Sequence, residues 1–145
     1  MGLQKQFVAP HAPQQRVRNE KHVAALTLLR VLMRQCRAKA RLEPFEACAI
    51  LQNAPHEGAQ PYADALLRVL AQGLAHGPVI HRAGAQECSF DESWLLALMD
   101  AISHDDRAST AFLLRARLPL HLRRHVGWLT AQMIDRLPGL KPAPV

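Results

Sequence analysis

His121 and His125 stand four residues apart in a stretch of helical spacing, so one helix would turn both imidazoles to the same side. Two histidines hold one metal ion at this spacing in zinc proteases. The glutamate that follows the first histidine in that pattern is replaced here by Leu122, and no third ligand is near in the sequence, so no metal is expected. His76, His81 and Cys88 match no zinc spacing. Ser103-His104-Asp105-Asp106 holds the side-chain types of a nucleophile, a base and an orienting carboxylate. Neighbours on a helix point about 100° apart, however, and the run reads instead as the end of one helix and the acidic start of the next. Glu43 with Glu46, and Asp91 with Glu92, are carboxylate pairs that fall at helix starts, where the helix dipole already favours them. The seven glycines are scattered singly, without a phosphate-cradling loop. No catalytic, cofactor-binding or metal-binding residue is expected, and the chain reads as non-enzymatic.

The arginines are the stronger signal. Arg30, Arg34, Arg37 and Arg41 recur at four, three and four residues and would form a stripe along one helix. Such a row repels itself unless carboxylates or phosphates neutralise it, and guanidinium suits bidentate contact with either. A second group, Arg115, Arg117, Arg123 and Arg124, surrounds Pro119, with His121, His125 and Trp128 on one side of the helix that follows. A tryptophan there can anchor an interface, or it can be the flank of a wide core.

These residues need helices to position them, and the chain supplies six helical patterns with no alternating β-branched run. The first begins after Asn19 as N-cap, buries Ala25 or Leu26, Leu29, Met33, Cys36 and Ala40, and ends near Leu42. Pro44 opens a short second helix with Phe45, Cys48 and Ala49 inward, closed by Asn53-Ala54-Pro55. Pro61 opens a third along Tyr62, Leu66, Val69 or Leu70 and Leu74, with Asp64 and Arg68 paired outside; Gly77-Pro78 stops it. Residues 79–88 follow no clear period. Ser89-Phe90-Asp91-Glu92 is a capping box that starts a fourth helix to His104, expected to be central through Trp94, Leu95, Leu98, Ala101 and Ile102. A fifth runs from Arg107 to Arg117, and the last from Leu120 to Leu137 along Leu122, Val126, Leu129 and Met133, ended by Pro138-Gly139.

The expected architecture is therefore all-α: one compact bundle of about six helices with short loops over residues 19–137, a mobile N-terminal arm at 1–18 and a proline-rich tail at 138–145. Length and composition agree, because 145 residues with 49% apolar side chains suit one domain and exclude general disorder. The longest apolar run, Trp94 to Met99, is far short of the roughly 20 residues of a bilayer-spanning helix. Residues 1–20 carry no apolar leader, and the three cysteines, Cys36, Cys48 and Cys88, form no close pair. A cytoplasmic protein with reduced thiols and no membrane partner is expected.

Charge is segregated along the chain. Residues 1–42 carry nine bases and one acid, residues 43–106 two bases and ten acids, and residues 107–145 seven bases and one acid, within a net charge of +6. The acidic middle either neutralises the basic ends inside one fold or leaves a positive face for a partner. Two functions follow from the second case. One is a small adaptor or regulator that holds an acidic protein, or another copy of itself, through Arg30, Arg34, Arg37, Arg41, Arg115, Arg117, Arg123, Arg124, His121, His125 and Trp128. The other is a nucleic-acid-binding regulator that contacts phosphates with the same arginines, the fourth and fifth helices and their short turn being the best fit to a helix-turn-helix.

Overall fold

The computed structural model describes residues 15–16, 20–35 and 58–141. Among them are five α-helices and one minimal antiparallel pair of strands, so the chain is mostly helical. Strand β1 (Gln15–Arg16) pairs with β2 (Glu87–Cys88), and the helices are α1 (Glu20–Gln35), α2 (Ala59–Gly73), α3 (Phe90–Ser103), α4 (Arg107–Arg117) and α5 (Leu120–Arg136). The short helix expected at 44–53, the Asn19 cap and the first helix beyond Gln35 lie outside the described residues. No helix among the described residues is long and apolar enough to cross a membrane.

The helical periodicities translate directly into burial. Ala25, Leu26, Leu29 and Met33 of α1, Tyr62, Leu66, Val69 and Leu70 of α2, and Leu122, Val126, Leu129 and Met133 of α5 enter one continuous core with Trp94, Leu95, Leu98 and Met99 of α3. Each such aliphatic side chain contributes about 1.5–3 kcal/mol by leaving water. The most extensive helix contact is between α2 and α5, and α3 packs against α4, α5 and α1. The centre of the bundle is thus the α2–α5 pair rather than α3 alone. Gly73 explains how closely these elements meet: a Cβ there would stand 2.8 Å from Leu122 Cδ1 and 2.9 Å from Leu118 Cδ2.

Helix α2 starts at Ala59, with Gly58 as its N-cap, two residues before the proline that signals it. Its Asp64–Arg68 pair, at 3.0 Å, is largely buried rather than outside. Helix α3 is capped by Ser89, whose side chain accepts from the Glu92 amide while Glu92 accepts from the Ser89 amide. Its far end closes with the Asp106 amide donating to Ala101 and the Asp105 amide to Ile102, which puts Asp105 at φ +53° in the left-handed region. Asp106 then caps α4 by accepting from the Ser109 amide and hydroxyl. The Trp94 indole donates to the Leu113 carbonyl at 2.9 Å and ties α3 to α4.

Two described pieces of the segments expected to be free are structured. Residues 15–16, within the stretch read as a mobile arm, are paired with β2. Residues Pro138–Leu140, read as the start of the tail, form a 3-10 turn against α1 with Leu140 fully buried. Leu140 continues the apolar spacing of Met133 and Leu137, so the chain keeps its core side inward for one more turn after proline ends the helix.

Candidate partner-binding surface

The unassigned stretch between α2 and α3 is organised by the two acids that open α3. Asp91 accepts from the Val79 amide at 2.7 Å, the Ser89 hydroxyl donates to the Val79 carbonyl, and Glu92 accepts from the His81 amide at 3.0 Å. Gly84 turns at φ +89°, a conformation that side chains other than glycine's rarely adopt, and the chain then passes Arg30. Arg30 donates from Nε to Glu92 Oε2 at 2.7 Å, from Nη2 to Glu92 Oε1 and the Glu87 carbonyl, and from Nη1 to the Ala85 carbonyl.

This removes Arg30 from the expected surface stripe, because its side chain is 2% exposed and its charge is met by a fully buried carboxylate. The reason lies in helix geometry. Four residues advance about 400°, so a row at i, i+4 drifts about 40° at each step. Arg30 stands beside Leu26, Leu29 and Met33 at the rim of the core, while Arg34 has rotated into solvent. Arg37 and Arg41 lie outside the described residues. Burial pushes the Glu92 carboxyl up, but the Arg30 hydrogen bonds, the Ser89 and His81 amides and the Arg30 charge outweigh it and hold the group below its ordinary value. Burial raises the thiol of the free Cys88, against the opposing hydrogen bond from Ser93, and the side chain is packed in the core.

Arg117 is also met internally. Its Nη1 donates to Asp91 Oδ1, and the guanidinium lies 4.7 Å from the Phe90 ring centre and 5.4 Å from that of Trp94. Asp91 and Glu92 therefore each receive one arginine from a basic end of the chain.

The rest of the second basic group lies differently. Arg115, Arg123 and Arg124 line one groove of about 370 Å³ between α4 and α5, with Ala111 and Leu114 as its apolar part. Arg115 and Arg124 are exposed, Arg123 is half-buried and spends its Nε–H on the Leu118 carbonyl, and none of the three has a carboxylate partner among the described residues. Helix α4 can present this face because Leu114 is its one buried side chain. Phe112 is 64% exposed, and Leu120 at the corner between the helices is 78% exposed.

His121 is exposed and His125 half-buried, and among the described residues no three histidine, cysteine or acidic side chains gather around a possible metal position. Trp128 packs against the core, its ring 5.7 Å from that of Tyr62, and the Arg136 guanidinium lies 4.2 Å from the Tyr62 ring centre. Its half-buried position combines core packing with a partly open flank.

Sequence spacing alone does not bring Ala111 and Leu114 to this surface. The available signal was the 107–117 pattern, which has too few large apolar residues for two buried faces and yet carries Phe112 beside Leu113 and Leu114. In comparisons with known proteins, no family model matches the chain, and no curated protein or solved structure does so either.

Proposed function

We propose that the protein is a small, non-enzymatic, cytoplasmic adaptor or regulator that holds an acidic partner protein on the α4–α5 face. The observation that carries this reading is the contrast between two kinds of arginine. Arg30 and Arg117 have carboxylates of their own chain, whereas Arg115, Arg123 and Arg124 converge on one groove without any among the described residues. Three guanidinium groups around an apolar floor are complementary to carboxylates interspersed with apolar side chains, and arginine is enriched at the centres of protein interfaces. His121 and His125, on the same helix, add polar contacts at the edge.

A second reading, phosphate contact with nucleic acid, draws support from the three-residue turn between α3 and α4 and from the exposed Arg107 and Arg115 on α4. Against it, Asp105 and Asp106 stand at the N-terminus of α4, where phosphates would meet like charge. The test measures binding of labelled polyglutamate and of a labelled duplex oligonucleotide by fluorescence anisotropy, with wild type and with Arg115→Glu/Arg124→Glu. The expected result is polyglutamate binding that the double variant abolishes. Tighter binding of the duplex, with an affinity falling about tenfold or more between 50 and 200 mM salt, would favour the second reading instead. Self-association that the double variant removes, seen by light scattering, would make a second copy the partner.

A further inference from the structure

The α4–α5 groove offers no strand edge. Its walls are two helices, α4 and α5, whose amides and carbonyls bond along their own axes except in the terminal turns. An extended peptide derives much of its affinity from pairing with an open strand edge, and none lies in these walls, so recognition here must run through side chains. The floor is apolar: Leu114 rests against Gly127, where a Cβ would come within 3.4 Å of Leu114 Cδ1, and Ala111 leaves the α4 wall low. Leu120, Arg124 and Gly127 follow at i, i+4 and i+7 on one face of α5, so the exposed leucine continues the same side toward the corner. A groove of about 370 Å³ is at the small end of the range that encloses a small molecule. It suits one or two apolar side chains projecting from a larger body.

We infer that this groove takes an acidic amphipathic helix, with an apolar side chain seated on Ala111 and Leu114 and with carboxylates one turn to either side reaching Arg115, Arg123 and Arg124. The inference rests on the acidic-partner reading and names the form of that partner. Charge complementarity gives the sign of the flanking residues, and the low apolar floor between the arginines gives the anchor. A free segment of this kind is only partly helical when it is about 15 residues long, so docking would also order it.

The experiment uses three labelled peptides of equal length: an acidic sequence with leucines at helical spacing, the same composition with the spacing scrambled, and polyglutamate. Each is titrated against wild type and Ala111→Arg. Ala111 is exposed, so the variant is expected to keep the circular dichroism of the wild type. It adds a positive charge but raises the floor, and the two effects have opposite signs. The amphipathic peptide is expected to bind wild type at least about tenfold tighter than the scrambled one and to gain helical dichroism in the complex. Ala111→Arg should weaken it about fivefold or more while leaving polyglutamate unchanged or tighter. If all three peptides bind alike, or all tighten on Ala111→Arg, the groove is a site for charge alone: the helix inference falls and the acidic-partner reading stands. If none of them binds the wild type, both fall.

Discussion

Arg30 and Glu92, separated by 62 positions in the chain, meet in the interior with two hydrogen bonds, of 2.7 and 3.1 Å. Glu92 also completes the cap of α3 and holds the His81 amide, so one carboxylate joins α1, the 79–88 stretch and the start of α3.

Removing either partner should be costly, and unequally so. Glu92→Ala leaves a buried guanidinium and loses the Glu92 half of the capping box, and is expected to cost about 3–5 kcal/mol. Arg30→Met leaves Glu92 with two amide donors and is expected at or below the lower end of that range. Arg30→Met/Glu92→Gln, which removes both charges and keeps a capping side chain, should fall between wild type and Glu92→Ala. Urea denaturation reads the order, and a Glu92→Ala cost under about 1 kcal/mol would show that the network contributes little.

The pH dependence follows from the lowered Glu92 carboxyl. A carboxylate whose native pKa lies below its unfolded value of about 4.3 adds stability that is complete above that value and is lost as pH falls through the native one. The exposed Asp106, lowered by the Ser109 hydroxyl and amide, acts with the same sign. The urea midpoint should therefore drop as pH falls below about 5, and Glu92→Gln should flatten part of that drop. A profile identical to wild type in Glu92→Gln would remove Glu92 from the acid response.

Arg117 and Arg124 should separate structure from binding. Arg117→Ala loses the Asp91 pair and two ring contacts and is expected to cost about 1–2 kcal/mol, with acidic-ligand affinity within about twofold of wild type. Arg124→Glu should change stability by no more than about 0.5 kcal/mol and lose most of the binding. Thermal melts and anisotropy on the same preparations check both, and the reverse pattern would place the partner on Arg117.

Asp105 offers a test of the α3–α4 turn. Glycine adopts the left-handed conformation without the steric cost of a side chain, so Asp105→Gly should stabilise by about 0.5–1 kcal/mol. Asp105→Val should destabilise by more than about 1 kcal/mol. Equal melting temperatures for the two would mean that the turn does not hold Asp105 at this φ.

Much of the helical framework is local information. Hydrophobic spacing marks the inward faces of α1, α2, α3 and α5; the Ser89 to Glu92 pattern sets the start of α3; and Arg107 and Arg117 bound α4 where the acidic start and the proline place them. Each is decided within a turn or two of chain, where side-chain spacing, capping groups and the missing amide of proline act directly. The destination of a charge is not local. Nothing near Arg30 in the sequence says that its partner is Glu92, and nothing near Arg115 says that it has no carboxylate partner among the described residues. The sequence by itself determined a mostly helical chain with basic ends and an acidic middle. Only the tertiary structure decided which of those charges cancel, because an ion pair depends on distance and burial after packing, and packing brings together residues from opposite ends of the chain.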